Sequence, residues 1–549
     1  MKKATRFQDY SAERLQKDLI AGLVVGIVAI PLAMAFAIAS GVRPEYGIYT
    51  TIIAGILVSL LGGSRFQIAG PTGAFVPILL GVVMQYGYEN LIIAGFMAGI
   101  ILVIVGLLKL GKFIKFIPKP VTIGFTAGIA IIIFSGQIAN FLGLHNIEKH
   151  ETFHLSMWEI ITNLSAINIY SILIAIICLV IVLIAPKFIP KVPGALLGIL
   201  FSTLIAVLFF QGKVATIGST YGPIPNELPA FQWPELTVDT IVMLLPAALV
   251  IAMLGGIESL LSAMVADSMT KTKHNSNKEL VGQGIANMAT SLFGGIPATG
   301  AIARTATNIR NGGTSPISGV VHGLVVLIVL LVLAPYASHI PLASMAPVLM
   351  VVAFNMSERK EFAHIFKTKT ADSAVLAITF LLTVFFDLTT GVGVGLLFAI
   401  IMFVKRMSQS LHVSQTNNDD EKSQLQMYTL EGSLFFGSAE RLEEATDSII
   451  QSNADVVILK MEQVSFIDTS GEDLLSNVHQ RLDEDNRALL ITGLDAQPKE
   501  MFLKTGLYDR IGKQHFFSQA SKALDYAQSF LHTKSKPYAN KSKQPAFSS

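Results

Sequence analysis

Two short, interrupted apolar stretches decide the fold: Gln67-Ile68-Ala69-Gly70-Pro71-Thr72-Gly73-Ala74-Phe75 and Gly294-Gly295-Ile296-Pro297-Ala298-Thr299-Gly300-Ala301-Ile302-Ala303-Arg304. Each carries a proline and then Thr-Gly-Ala. A helix cannot continue through either point, because proline lacks an amide donor and glycine favours helix only weakly. Lipid does not tolerate unpaired backbone, so each break must face protein or a water-filled cavity. Matching breaks in two halves of a membrane chain indicate a transporter's substrate site.

The composition is that of a membrane protein. The chain has 549 residues, of which 52% are hydrophobic and 14% charged, and its long apolar runs suit a hydrocarbon layer about 30 Å thick. A net charge of +2 gives no reason to expect nucleic-acid binding. The single cysteine, Cys178, excludes disulfides within the chain and cysteine-rich metal sites. We find no signal peptide, catalytic triad, phosphate-binding loop or metal cluster, so we expect neither an enzyme nor an ATP-driven pump, and no cofactor.

The residues before position 407 contain fourteen apolar segments, and the two interrupted stretches form the third and the tenth. The segments lie near 18–41, 46–62, 67–87, 90–110, 119–143, 167–186, 193–211, 240–267, 277–295, 298–310, 316–336, 341–356, 370–386 and 388–406. The composition then changes to that of a soluble domain. We therefore predict a membrane domain at 1–406, a linker at 407–424, a soluble domain at 425–535 and a disordered tail at 536–549.

The cations of the loops predict the orientation in the membrane. With fourteen segments, most lysines and arginines fall on one side, in the loops at 65, 112–119, 187–191, 271–278, 310, 359–369 and 405–406. The opposite loops hold only Arg43, Lys149 and Lys213, among acidic residues. Because cation-rich loops stay in the cytoplasm, we predict a multi-pass protein of the cell membrane with both termini and the soluble domain cytoplasmic.

The two halves of the membrane domain resemble each other. The offset from Pro71 to Pro297 is 226 residues, and that from Pro118 to Pro341 is 223. Seven segments per half is an odd number, so the second half must be inverted relative to the first. The predicted fold is therefore an α-helical membrane protein of seven plus seven inverted segments, followed by a small α/β domain.

The breaks also predict an anion site. A half-helix that begins inside the membrane turns its amide groups and the positive end of its dipole toward the interior of the protein. We expect these helices to start near Thr72-Gly73-Ala74 and near Thr299-Gly300-Ala301, with one small anion between them. The alternative is that the breaks serve only close packing.

Glu258 is the most informative ionisable residue, because it lies deep within the apolar run 244–266. A carboxylate at that depth lies on an ion pathway, belongs to a coupling site, or is permanently paired with another residue. Removal from water favours the protonated form of a carboxyl, so we predict a proton-coupling role for Glu258. Ser259 and Ser262, both within one turn of it, are expected to share its solvation.

Arg304, one turn into the second half-helix, has three interpretations. It supplies positive charge to the anion, it pairs with Glu258, or it extends to the cytoplasmic edge of the membrane as an anchor.

Several stretches resemble the SulP (sulfate permease) family of anion transporters. They are Pro44-Glu45-Tyr46-Gly47-Ile48-Tyr49, Ile68-Ala69-Gly70-Pro71-Thr72-Gly73, Gly255-Gly256-Ile257-Glu258-Ser259-Leu260-Leu261, His274-Asn275-Ser276-Asn277-Lys278-Glu279-Leu280 and Arg304-Thr305-Ala306-Thr307-Asn308. The resemblance implies a core domain and a gate domain, with the substrate held between the third and tenth segments. It implies substrate contacts at Thr72, Gly73, Ala74, Gly300, Ala301 and Ile302, with Glu258 nearby.

The resemblance leaves the substrate and the coupling ion open. Sulfate is our first expectation, with bicarbonate or dicarboxylates as alternatives. In the pattern of the sodium-coupled bicarbonate members, an aspartate stands where this chain has Glu258, and a hydroxyl residue stands where it has Ile302. Glu258 and Ile302 depart from that pattern, which favours a co-transported proton. An anion channel and a membrane sensor are the alternatives from other classes.

The soluble part resembles a STAS domain. Two apolar runs, 456–461 and 488–493, predict buried strands between helical runs near 438–452, 470–484, 497–505 and 518–532. Phe466-Ile467-Asp468-Thr469-Ser470-Gly471 matches the strand-to-helix loop in which related proteins carry a phosphorylated serine. Ser470 is thus a candidate phosphosite, although Asp468 and Ser470 are also suited to capping the helix. We expect a homodimer, and we expect this domain to bind a cytoplasmic protein partner.

Overall fold

The computed structural model describes residues 11–112, 117–144, 147–148, 150, 152–189, 192–386, 388–416 and 424–534. The predicted tail, 536–549, lies outside these residues. The chain forms two compact units that divide within one long helix, between Leu397 and Phe398.

The first half of the membrane unit runs to residue 221. It contains one two-residue strand, β1 (Ala69–Gly70), which a 3₁₀ turn at Gly73–Phe75 joins to the third helix. The helices are α1 (Ala12–Ala39), α2 (Pro44–Leu61), α3 (Val76–Tyr86), α4 (Tyr88–Leu107), α5 (Lys119–Gly136), α6 (Ile138–Leu142), α7 (Phe153–Thr162), α8 (Ile169–Phe188), α9 (Gly194–Phe209) and α10 (Ile217–Tyr221).

The second half repeats this plan. Its strand, β2 (Thr299–Gly300), precedes a nine-residue half-helix. The helices are α11 (Val238–Thr270), α12 (Ser276–Leu292), α13 (Ile302–Arg310), α14 (Ile317–Ala337), α15 (Leu342–Met356), α16 (Arg359–Lys367), α17 (Ala371–Phe385) and α18 (Leu388–Gln409).

The described residues confirm the fourteen predicted segments. α5 and α6 together form the fifth, and each half-helix with its strand forms the third or the tenth. The short helices α7, α10 and α16 lie between segments and were not predicted. The strands pair antiparallel, with Ala69 opposite Gly300 and Gly70 opposite Thr299, so the two interrupted segments run in opposite directions.

The helices form two groups. In one, α1 packs against α2 and α14, and α4 packs against α11 and α12. In the other, α5 packs against α15 and α17, and α8 packs against α9 and α15. These groups are the core and gate domains.

Two buried carboxylates hold helix ends in the core group. Asp18 of α1 accepts hydrogen bonds from the backbone amides of Thr314 and Ser315, just before α14 begins. Glu279 of α12 accepts from the amides of Gly63 and Ser64, which follow α2, at 2.7 and 2.9 Å. Both carboxylates satisfy amides that no helix or sheet would pair.

The C-terminal unit is an α/β domain around a five-stranded sheet of order β3-β4-β5-β6-β7. Strand β3 runs antiparallel to β4, and the remaining neighbours are parallel. The strands are β3 (His412–Thr416), β4 (Leu425–Leu434), β5 (Val456–Ile467), β6 (Ala488–Thr492) and β7 (Phe516–Phe517). The helices are α19 (Ala439–Gln451), α20 (Thr469–Glu484), α21 (Ala496–Thr505), α22 (Leu507–Ile511) and α23 (Ala520–Lys534).

The predicted linker, 407–424, is wrong in part. Helix α18 continues to Gln409, and His412–Thr416 form the edge strand β3. This strand is mostly exposed and polar, so its sequence lacks the apolar alternation that identifies a half-buried strand.

Candidate functional site

The two interrupted segments meet at a short ladder in the core group. Beyond the two strand pairs, the amide of Ala301 donates to the carbonyl of Ile68 at 2.8 Å. The helices then begin on either side of this ladder. The ladder satisfies backbone groups that the missing helical turns leave open, and it fixes the two helix starts close together.

Both helix starts leave amides without helical partners. In α13 the first helical bond runs from the amide of Thr305 to the carbonyl of Ala301 at 2.9 Å, so the amides of Ile302, Ala303 and Arg304 precede it. At the other start, the first bond of the 3₁₀ turn runs from the amide of Phe75 to the carbonyl of Thr72. The positive ends of both helices therefore point toward the ladder.

Glu258 of α11 lies beside the first helix start. The Thr72 hydroxyl is 2.9 Å from Glu258 Oε2, a hydrogen bond between the third and eighth segments. Glu258 is partly exposed, whereas its neighbours Ile257 and Ser259 are buried. The carboxyl group thus contacts one of the predicted substrate residues, Thr72.

Arg304 is buried and turned toward the first break. Its side chain is 3% exposed, and its Nη2 donates to the carbonyl of Pro71 at 3.1 Å. Its Nη1 has no hydrogen-bond partner among the described residues. The interpretation of Arg304 as an anchor at the membrane edge is therefore wrong. No ion pair within 4 Å joins it to Glu258 in the described part of the chain, and its role in supplying charge to an anion stays a prediction.

The missing side chain of Gly70 makes room for Arg304. A β-carbon built on Gly70 would overlap Arg304 Nη1. Gly300 has the same role on the second strand, where a β-carbon would overlap the amide nitrogen of Gln67. The glycines of the two breaks thus end the helices, and they also let neighbouring side chains approach the backbone closely.

Ser262 does not contribute to the site as predicted. Its hydroxyl is fully buried and donates to Thr305 Oγ1 at 3.2 Å, so it joins α11 to α13 and does not share the solvation of Glu258. Thr305 also accepts from the amide of Ile68 at 3.0 Å. Ser262 is therefore a support for the second half-helix.

The supporting role of the residues around the ladder was not predicted from the sequence, although Ser259 had been expected to share the solvation of Glu258. Ser259 accepts from the amide of Gly300 at 3.0 Å, its hydroxyl lies 2.9 Å from that of Thr299, and its carbonyl accepts from Gln67 Nε2 at 3.0 Å. On the far side, Asn287 pairs with both the amide and the carbonyl of Ala298. The available signal was the spacing of small polar residues one turn apart, at 259 and 262, in an otherwise apolar helix.

The other residues that were predicted to contact the substrate lie around the ladder. Ala74, Gly300 and Ala301 are buried at the helix starts, whereas Ile302 is 38% exposed. A β-carbon on Gly73 would lie 3.2 Å from Ile133 of α5 and 3.4 Å from Met356 of α15. The first helix start therefore lies at the boundary with the gate group.

Ser470 of the C-terminal unit is half-buried in the first turn of α20. The cap of this helix is Asp468, which accepts from the amide of Gly471 at 3.0 Å, while its second oxygen accepts from the amide of Phe436 at 2.9 Å. The capping interpretation therefore holds for Asp468, and Ser470 is not the cap.

Two inverted halves of seven membrane segments, with opposed half-helices at their centre, define the architecture of a membrane transporter. The chain belongs to the sulfate permease family, whose profile matches residues 15–379. The STAS domain profile matches residues 417–523.

Relatives align along nearly the whole chain. The protein YvdB of Bacillus subtilis, provisionally named a sulfate transporter, is 63% identical over 522 residues, which cover 94% of this chain and 98% of YvdB. The bicarbonate transporter BicA of Picosynechococcus is 30% identical over 541 residues, covering 93% of this chain and 94% of BicA.

Two solved structures share the fold. The overall structure of SLC26A9 aligns with a TM-score of 0.84 at 18% identity and covers 97% of this chain and 93% of its own. The transmembrane domain of a cyanobacterial BicA aligns with a TM-score of 0.61 at 32% identity, covering 71% of this chain and 98% of that domain. Family and fold together place the protein among membrane-embedded anion transporters rather than enzymes.

Proposed function

We propose that this protein is a secondary active transporter that carries a small inorganic anion, with sulfate as the expected substrate, together with a proton. One observation carries the proposal: the starts of two opposed half-helices converge beside a buried arginine and a carboxyl group that is hydrogen-bonded to one of the helix starts. The anion is held by the first residues of both half-helices and by the arginine, namely Thr72, Gly73, Ala74, Gly300, Ala301, Ile302 and Arg304.

The charges at the site favour a doubly charged anion when Glu258 is protonated. Each helix start contributes roughly half a positive charge, and Arg304 contributes a full one, for a total of about +2. This total balances sulfate if the Glu258 carboxyl is neutral. If Glu258 is ionised, the total falls to about +1, and sulfate is no longer balanced.

The hydrogen bond between Thr72 and Glu258 links the proton to the anion. An ionised carboxylate only accepts hydrogen bonds, so it uses the hydroxyl hydrogen of Thr72. A protonated carboxyl can donate to Thr72 instead, which frees the Thr72 hydrogen for the anion. Protonation of Glu258 thus removes a repelling charge and supplies a donor, and both effects favour anion binding.

Transport across the membrane then requires the core group to move against the gate group. Gly73 at the first helix start leaves so little space to the gate residues Ile133 and Met356 that a β-carbon there would lie 3.2 and 3.4 Å from them. A site on this boundary is covered or opened by relative movement of the two groups, which is alternating access. The ladder and its supporting hydrogen bonds lie within the core group, so the site moves as one piece.

The second candidate substrate is bicarbonate. A relative named as a bicarbonate transporter is 30% identical along nearly the whole chain. A singly charged anion also suits the site with Glu258 ionised, when the positive total is about +1. In that case the proton would not be required for binding, and uptake would respond to pH in the opposite direction. A dicarboxylate is the remaining substrate candidate.

Uptake into liposomes distinguishes these candidates. Purified protein is tested with labelled sulfate, bicarbonate and fumarate under imposed proton and sodium gradients. The proposal predicts saturable sulfate accumulation driven by an inward proton gradient and indifferent to sodium. Uptake driven by sodium alone contradicts proton coupling, and conduction without accumulation indicates a channel.

The STAS domain has a separate proposed role. Ser470, in the first turn of α20, is a position where a phosphate would meet the positive end of a helix, which favours phosphorylation as a regulatory step. We also propose a homodimer in the cell membrane with cytoplasmic termini. Removal of residues 412–549 should leave anion binding intact, whereas a sensor would lose its output.

A further inference from the structure

A nine-residue helix, α16, connects two membrane segments of the gate group. It begins three residues after α15 ends at Met356 and finishes four residues before α17 begins at Ala371. A helix of this length spans about 14 Å. Because both ends are tied to membrane segments by such short links, α16 must stay close to the membrane surface.

One side of α16 is aromatic and only partly covered by protein. Phe362 packs against Phe380 of α17, with ring centroids 5.2 Å apart, and lies parallel to Phe366 at 6.2 Å. Phe366 itself is 54% exposed, although it lies beside the end of a membrane segment. Phe354, at the end of α15, is 53% exposed beneath the guanidinium of Arg359.

The other side of α16 and its exit carry cations without acidic partners. Lys360, Lys367 and Lys369 are exposed and form no ion pair with any described residue. Arg359 lies over the ring of Phe354 and donates to the Phe354 carbonyl at 3.1 Å. The segment 358–369 thus holds four cations against two carboxylates, Glu358 and Glu361.

One of the two carboxylates of this segment, Glu358, has a raised pKa. Burial, and then the neighbouring charge of Glu361, raise the pKa of Glu358, with Lys119 opposing the shift. Cations outnumber carboxylates by four to two in the segment 358–369.

We propose that α16 binds the anionic headgroups of membrane phospholipids. Lys360, Lys367 and Lys369 contact the headgroup phosphates, while Phe366 enters the boundary with the acyl chains. Aromatic and basic side chains on one short helix in the membrane surface are the combination that anionic bilayers attract. In α16 and its exit, three exposed lysines without an ion pair to any described residue lie beside the exposed ring of Phe366.

The consequence for transport rests on the proposed function. Helix α16 packs against α5 and α17, so it belongs to the gate group. Bound anionic lipid would hold this group against the bilayer while the core group moves. Transport should then be faster in bilayers that contain anionic lipid.

A binding measurement tests the proposal independently of transport. Phe366→Trp, in a background with Trp158→Phe and Trp233→Phe, reports lipid contact through quenching by brominated lipid. Brominated phosphatidylglycerol should quench at least threefold more effectively than brominated phosphatidylcholine at equal mole fraction. Equal quenching by the two lipids overturns the proposal.

Removing the lysine charges of α16 shows whether they cause the preference for anionic lipid. The triple variant Lys360→Gln, Lys367→Gln, Lys369→Gln should lose the preference for phosphatidylglycerol. The matched control replaces Lys271, Lys273 and Lys278, exposed cations around the α11–α12 loop, and should keep it. A preference that survives the first triple variant, or that both variants lose equally, overturns the assignment to α16.

Transport in the same bilayers adds a second readout. Wild-type uptake should rise at least threefold when a third of the phosphatidylcholine is replaced by phosphatidylglycerol, and the α16 variant should not respond. A loss of uptake that is equal in both bilayers indicates that the lysines contact protein instead, and overturns the lipid proposal. If uptake is absent for all variants while the lipid preference persists, the proposed function fails and the lipid site stands.

Discussion

Replacing Glu258 with glutamine tests the charge balance at the anion site, because glutamine has nearly the shape of a protonated glutamate and never ionises. The hydroxyl of Thr72 lies 2.9 Å from Glu258 Oε2. An anion oxygen that accepts from the same hydroxyl would lie about 2.8 Å from it. The centre of a bound sulfate is therefore roughly 7 Å from the carboxyl group.

This separation sets the size of the expected effect. One carboxylate charge and two sulfate charges at roughly 7 Å, with an effective dielectric constant of about 20, repel by about 5 kcal/mol. That energy corresponds to between about three and four factors of ten in Kd. Sulfate binding to the wild-type protein should therefore weaken steeply as the pH rises and Glu258 loses its proton. The Glu258→Gln variant should bind sulfate with nearly the same Kd at all pH values.

The assay is equilibrium binding of labelled sulfate to purified protein between pH 5 and pH 9. Liposome uptake is measured in parallel. Binding by the variant should match that of acidified wild-type protein, while accumulation driven by a proton gradient is lost. Glu235→Gln, at an exposed loop residue, is the control for loss of one charge and should behave as wild type. A variant that keeps the wild-type pH dependence, or that still accumulates sulfate with protons, refutes the reasoning.

Three further substitutions test other parts of the structure. Gly70→Ala should abolish anion binding in a folded protein, because the new methyl group takes the space of Arg304 Nη1; unchanged binding would show that Arg304 does not act from this position. Asp18→Ala leaves the buried amides that precede α14 unpaired and should cost about 3 kcal/mol, measured as a lower thermal unfolding midpoint in detergent; an unchanged midpoint would contradict the capping role. Ser470→Asp should alter transport or partner binding if phosphorylation regulates the protein, with Ser470→Ala as the control, and wild-type behaviour of both variants would remove Ser470 as a regulatory site.

Much of the site could be predicted from local sequence rules. The two breaks follow from the chemistry of proline and glycine, and an isolated carboxylate in an apolar helix marks Glu258 without reference to its neighbours. The role of Arg304 could not be predicted in this way. Its long side chain can reach the membrane edge, Glu258 or the first break, and the choice depends on the space that Gly70 leaves.

The supporting role of several small polar residues was missed for a related reason. Ser259, Ser262 and Thr305 are small polar residues whose partners lie on another helix, and no local pattern specifies those partners. The interpretation of Ser262 failed because it assumed that a residue one turn from Glu258 must share its surroundings. The edge strand β3 was assigned to the linker because its backbone pairs with β4, while its side chains remain largely in solvent.

The sequence by itself determined the number of membrane segments, the repeat and the positions of the two breaks. These features depend on hydrophobic length and on backbone chemistry, which act within a few residues. The tertiary structure decided what the breaks do. Only the pairing of Ala69 with Gly300 brings the two helix starts together, and only the packing of α11 and α13 against them places Glu258 beside Thr72 and Arg304 beside Pro71. Such contacts join residues nearly two hundred positions apart or more, so their geometry is set by the fold as a whole.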